Sequence, residues 1–576
     1  MGSNHHSLGL ALGSLLLASC AGQNVETTAA SKEEPAAEAD AQDVIVTGGR
    51  VKVGNVEARS QFAIGTVASP PPPPPPPPPA MMAAPTMRKD RGTWPPFYKD
   101  VGRDKFTSFD ENAFKIVREA PVSTFSIDVD TASYSWVRAS LNQNVLPQPA
   151  AVRTEELVNY FNYDYAPPKS AAQPFSTNVA VFPSPWSEGR KLVRIGIKGF
   201  AVQRATRPRA NLVFLIDTSG SMHSPDKLPL VQRSLNMLLD ELDERDTVSI
   251  VTYAGSAGTA LQPTSVRHKE RIRAVINSLG AGGSTAGAEG IRQAYDLAKA
   301  NYDSKGVNRV ILATDGDFNV GITDQGELKG FVERERGKGV FLSVLGFGMG
   351  NYNDALMQTL AQNGNGIAAY IDTAAEARKT LVEEASSTLF PIAKDVKIQV
   401  EFNPAAVAEY RLIGYETRAL NRDDFDNDKV DAGDVGSGQT VTALYEVVPV
   451  GGRRANGDLR YSKPTAVAGP SYELGFVKIR YKLPKSDTSR LISTPIDSRN
   501  AVRSFEAAPR DARFAAAVAG FAELLRGGRY TGSLSYDDVL PIANASRGPD
   551  EFGYRSEFVE LVRAAKSART MAQLDR

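Results

Sequence analysis

The stretch that most limits what this chain can fold into is residues 211–222, NLVFLIDTSGSM. Five of its first six residues are apolar, and the run then breaks into a small, polar turn containing Gly220. An uninterrupted apolar run of this kind suits a strand covered on both faces, as in a parallel sheet. Asp217, Ser219 and Ser221 follow at the carboxyl end of that strand. In an open α/β sheet, ligands bind at that end. One carboxylate and two hydroxyls make a hard, oxygen-only site, which suits Mg²⁺ rather than zinc.

Two later segments extend the pattern. Gly282, Gly283, Ser284 and Thr285 open a helical stretch, and residues 309–314 (RVILAT) form another buried-strand run that ends in Asp315 and Gly316. The set Asp217, Ser219, Ser221, Thr285, Asp315 resembles the metal-ion-dependent adhesion site (MIDAS) of von Willebrand factor type A (VWA) domains. That motif reads D-x-S-x-S, then a Thr, then the aspartate of T-D-G. The resemblance implies a Mg²⁺ site, with Mn²⁺ or Ca²⁺ as other divalent candidates. It implies that Ser219 and Ser221 bind the cation through their hydroxyls, and Thr285 directly or through water. Asp217 and Asp315 would hold coordinated waters. Neutral hydroxyls leave the cation's charge under-compensated, and magnesium asks for six oxygens at about 2.0–2.1 Å. One position then stays open for an acidic side chain of a partner. Taken singly, each of these residues is an ordinary cap at a strand or helix end. The ordered set of five is what points to metal.

The chain's 576 residues leave room for two or three domains. Its 66 Lys and Arg balance 66 Asp and Glu, so charge gives no support for nucleic-acid binding. No apolar run reaches the roughly 18 residues of a spanning helix. The single cysteine, Cys20, excludes a CxxC metal site and an internal disulfide framework. Residues 1–20 carry a short apolar core and then Leu17-Ala18-Ser19-Cys20, with His5 and His6 where Lys or Arg is usual. This resembles a bacterial lipoprotein signal with its lipobox. The resemblance implies a lipid on Cys20 and an exported, membrane-anchored protein. Ala21, rather than an aspartate, then implies an outer-membrane address facing the periplasm.

Residues 21–105 are rich in Ala, Glu, Pro and Ser, with ten consecutive prolines at 70–79. Such a composition cannot bury enough apolar surface to offset its ordering entropy. The proline run predicts a stiff polyproline II rod of roughly 30 Å inside a tether. Order is expected to return in an N-terminal α+β module, residues 106–206. There a strand and helix at 121–134 place Asp128 and Asp130 in turn and helix-capping roles. The central domain is read as 207–389, an α/β fold with a doubly wound parallel sheet. Residues 390–576 read as a β-rich module closed by helices at 510–526 and 554–568. Its acidic run Asp423-Asp424-Phe425-Asp426-Asn427-Asp428 fits an EF-hand at three positions. Lys429 and Val435 stand where glycine and glutamate are needed, so a solvated loop is expected.

The segments STFSIDVDTASY, EELVNYFNYDY, ANLVFLIDTSGSM, NRVILATDGDFNVG, KDVKIQVEFNP, YRLIGYE and VTALYE together resemble the bacterial YfbK-like family. That family has an N-terminal module, a VWA domain and a C-terminal module. This family resemblance assigns no activity; the resemblance to the VWA adhesion site implies a metal-dependent module that binds an acidic side chain of a protein partner, and a non-enzymatic role is expected. Two other readings stay open: a Mg²⁺-dependent envelope hydrolase, and a structural envelope lipoprotein with a vestigial metal site. Against an enzyme, no serine has glycine at both −2 and +2, and neither a Walker A sequence nor HExxH occurs.

Overall fold

The computed structural model describes residues 106–574 except 128–129, 284–287, 317–324, 349–351, 431 and 458–471. The signal with Cys20, the proline-rich tether, Asp128 and Thr285 therefore lie outside the described residues.

The run ANLVFLID folds as strand β1 (Ala210–Asp217), and every residue of it is buried. It lies inside a sheet with β2 (Thr247–Tyr253), β3 (Ala257–Ser265), β4 (Val307–Thr314), β5 (Val340–Phe347) and β6 (Ala368–Ile371). The order is β6-β5-β4-β1-β2-β3. All neighbours are parallel except β2 and β3, which form an antiparallel edge hairpin. The sequence predicts no strand at β3. Its segment AGTALQPTS lacks an apolar run and contains Pro263, which an edge strand tolerates because one side needs no ladder donor.

Alternation along β1 shows why both faces are covered. Leu212, Phe214 and Ile216 pack with α1 (Leu228–Glu241) and α2 (Lys269–Ser278). Val213 and Leu215 pack on the other face with α3 (Ala288–Ala300), α4 (Gln325–Gly337) and α5 (Asp354–Asn363). Pro229 sits in the first turn of α1, where no intrahelical donor is lost. Residues 374–388 read in the sequence as one helix, and the structure breaks it with a π-helical turn at Lys379–Glu383. Such a turn shifts the helical register, and the buried Lys379 ammonium lies 4.6 Å from the Tyr160 ring centroid.

The two flanks build their sheets jointly. One sheet runs Lys115–Ile116, Val407–Ile413, Thr440–Pro449, Lys191–Gly199, Phe175–Pro183. The other runs Ala419–Leu420, Val122–Ser126, Pro391–Phe402, Glu473–Lys482, Ser489–Asp497. Each thus mixes strands from before and after the central domain. Phe125, Ile398 and Val477 of one share a core with Val193, Ile195 and Tyr445 of the other. Helices Arg510–Arg526, Tyr536–Ser546 and Tyr554–Leu574 close a further core with the N-flank helices Ala132–Asn142 and Thr154–Asn159. No described helix is long and apolar enough to cross a membrane.

Asp130 corrects an expectation. It does not cap the helix that follows; its carboxylate takes the Ala368 N–H at 2.8 Å and Arg418 at 2.9 Å. It joins the N flank, the central sheet and the C flank. The acidic run behaves as a loop ending in exposed ion pairs, with Arg480 on Asp426 and Asp428.

Candidate functional site

Each site residue is placed by an element end. Asp217 is the last residue of β1, in register with Tyr253 at the end of β2. Asp315 follows the last residue of β4, the neighbour on the other side. Both aspartates are buried. After Asp217 the chain turns, and the Ser219 N–H donates to Asp217 Oδ1 at 2.9 Å. A short 3₁₀ turn (Gly220–His223) then sets the Ser219 and Ser221 hydroxyls 3.0 Å apart. Ser221 and His223 are exposed, so the polar edge opens to solvent.

A second loop is laced to this turn by its backbone. The Gly220 N–H donates to Gly283 O at 3.0 Å, and the Gly282 N–H to Thr218 O at 2.8 Å. The structure thus brings Asp217, Ser219, Ser221 and Asp315 to one end of the sheet, beside the Gly282–Gly283 backbone.

One functional candidate was invisible in the pattern. Lys227, just before α1, is buried, and its Nζ donates to Asp315 Oδ2 at 2.9 Å. Its stem fills the space over Gly348, where an added Cβ would lie 2.4 Å from Lys227 Cε. Gly348 also adopts a φ of +72°, so that loop position needs glycine twice over. In the sequence, Lys227 reads only as the polar start of an amphipathic helix.

The electrostatics follow from burial. Desolvation pushes the Asp217 carboxyl up to about 6, and the Asp315 charge adds to this; the Ser219 N–H pulls the other way. Of the two buried carboxylates, Asp315 alone is paired with an ammonium. The Oδ1 atom of Asp315 is buried with no hydrogen-bond partner. An orphaned carboxylate oxygen is costly, and one at the same sheet end as two serine hydroxyls is a ready contact for a cation or its water. The donor set is all hard oxygen, so these residues fit a divalent cation of the Mg²⁺ type.

Comparison with known proteins identifies the domain families. The von Willebrand factor type A domain family matches residues 211–384, and the family described as "Uncharacterized protein YfbK, C-terminal" matches 387–568. A further family, described as von Willebrand factor, matches 100–194. The chain is 43% identical over 498 residues to the "Uncharacterized protein YfbK" of Escherichia coli K12, covering 85% of this chain and 86% of that one. It is 30% identical over 184 residues to human inter-alpha-trypsin inhibitor heavy chain H4, covering 30% of this chain and only 19% of that protein. Among solved structures, a von Willebrand factor type A protein from Catenulispora acidiphila aligns over 70% of this chain and 91% of its own. Its identity is 15% and its TM-score 0.41.

Proposed function

The chain belongs to the YfbK family of proteins built around a VWA domain, and from that premise we propose a metal-dependent protein-binding module of the bacterial cell envelope. A VWA domain is a general protein-interaction module. In this reading, Asp217, Ser219, Ser221, Thr285 and Asp315 hold Mg²⁺ or a related divalent cation, and a partner's acidic side chain completes the site. A lipid on Cys20 and the tether of residues 21–105 would hold the module off the outer membrane, facing the periplasm.

The observation that carries the reading is the orphaned Asp315 Oδ1 at the same sheet end as the buried Asp217 and the paired serine hydroxyls. A bound divalent cation supplies a positive centre that accepts a carboxylate oxygen. The chain's own groups then select the ligand. Ser219 and Ser221 contribute oxygens without charge. Lys227 neutralises one of the two aspartates, so the cation-loaded site carries more positive than negative charge. An acidic ligand is favoured over a neutral one.

The test is a cross-linking pull-down from envelope extract with the full chain, in Mg²⁺ or in EDTA, beside its Asp217→Ala, Ser219→Ala variant. The expected result is a protein retained only by the intact site with metal present. Identical proteins in every lane would sink the proposal. One observation favours a second reading, a structural lipoprotein with a vestigial site: the Lys227 ammonium already balances Asp315 without metal. Metal uptake without any metal-dependent partner would support that alternative.

A further inference from the structure

At the amino end of the central sheet, away from the paired serines, the VWA domain meets the joint sheets around a cavity of about 320 Å³. That size falls within the range of small-molecule pockets. Its walls include Arg309 near the start of β4, Arg418 before the short strand Ala419–Leu420, and Asp434. Lys329 of α4 also lines it and is exposed.

The two arginines differ in a way that singles out one of them. Arg418 is saturated by structure, donating to Asp130 Oδ2 and to Gln358 Oε1, both at 2.9 Å. Arg309 is just as buried but has no comparable partner. Its Nη1 donates to the neutral Ser343 hydroxyl at 2.6 Å, its Nε has no hydrogen-bond partner, and it makes no ion pair among the described residues. Burial lowers its pKa to about 10 and Asp434 opposes that fall, so the guanidinium stays charged at neutral pH. A buried cation with no ion-pair contact, only the longer-range pull of Asp434, is under-compensated. A guanidinium fork is shaped to take two oxygens of one oxyanion. Exposed Lys329 adds positive potential that favours approach of an anion.

We propose that this cavity binds a small oxyanion, a carboxylate or phosphate group of a soluble compound, held by the Arg309 guanidinium. The assignment is independent of the metal site and stands or falls without it. Asp434 also lines the cavity and partly offsets the Arg309 charge.

The test is thermal unfolding of the full chain, titrated with sodium succinate or with sodium phosphate, against sodium chloride at equal ionic strength. The wild type is expected to gain stability saturably with at least one of the two anions. Succinate alone would mark the natural source as a carboxylate compound, phosphate alone as a phosphate one. Arg309→Met is expected to weaken the response by about tenfold or more, and Arg309→Lys by less. Should Arg309→Met fail to fold, Ala432→Phe, which fills the cavity from a loop and keeps the guanidinium, is expected to lose the response as well. The proposal is overturned if neither anion stabilises the wild type beyond chloride, or if both folded variants respond as the wild type does.

Discussion

Two groups of buried charge sit in this protein on opposite plans. Where the flanks meet the central domain, Arg138 and Arg153 are each matched by several acceptors. Arg138 holds Asp372 and Glu376, reaches Glu557 at 3.1 Å and donates to the Tyr160 hydroxyl at 3.0 Å. Arg153 grips Asp354 through two bonds of 2.7 and 3.0 Å and also holds Glu156. Within the C-terminal flank, Arg411 likewise joins Glu446 and Glu523. At the strand ends, by contrast, the Lys227 ammonium pairs with Asp315 and not with Asp217, and one Asp315 oxygen is left over. Saturated charge welds parts together; under-matched charge leaves capacity for something that is not part of the chain.

The comparison can be broken first at the seam. Arg138→Met removes one cation and strands Asp372, Glu376 and Glu557, and is expected to cost about 3–5 kcal/mol. A shift in the urea midpoint at unchanged slope measures it. A cost below about 1 kcal/mol would mean that the seam is not welded by charge.

Lys227→Met tests the other plan. It frees Asp315 and should raise Mn²⁺ affinity by about tenfold, through loss of a competing positive charge. Electron paramagnetic resonance of the free ion reads the change; weaker Mn²⁺ binding would show that Lys227 supports the site instead.

One seam group sharpens the contrast, because it is not saturated. Glu155 is buried with an unpartnered Oε2, and burial, then Glu416 and Glu156, raise its pKa above the ordinary glutamate value. The folded state therefore keeps a proton that the unfolded chain has already released. Stability from this group is full at pH below about 4.5 and falls as pH rises through the raised value. Glu155→Gln should flatten that decline and gain about 1 kcal/mol at pH 8 relative to pH 5. An unchanged pH profile would remove Glu155 as its source.

A small stability effect, about 0.5 kcal/mol or less, belongs to Ser219→Ala, whose hydroxyl bonds the exposed Ser221 and also meets Asp217. The same variant should lose Mn²⁺ binding. Retained binding would take Ser219 out of the ligand set.

Legibility in the sequence followed local apolar pattern. Residues 211–217, 247–253 and 340–347 announce strands because neighbours cover them on both faces, and Arg510–Arg526 matches its expected bounds. The strand Val407–Ile413 was missed because Glu409 and Arg411 break its pattern. Both are buried: Glu409 accepts the Ala455 and Asn456 N–H groups, and Arg411 pairs across the sheet. Helix Tyr536–Ser546 was hidden by Pro541 in its interior. The sharing of sheets by the two flanks leaves no local trace, since a strand's sequence does not name its partner. At the site, the order D-x-S-x-S and T-D-G was readable, whereas the role of Lys227 depends on which loop its stem crosses.

The interleaved flanks also impose a sequence in time. Strand Val122–Ser126 is made early, yet the partner that bonds Thr124 through Gln399 lies 275 positions later. Until then its edge is open, the condition in which strands pair with the wrong chain. The VWA domain between them closes one face with its own helices and the other partly on Trp136 of the N flank, and once compact it shortens the gap that the flanks must bridge. It serves as a splint around which the rest is assembled. The last stitch waits longest: Arg138 meets Glu557 across 419 positions, so the seam is sealed only when the final helix arrives.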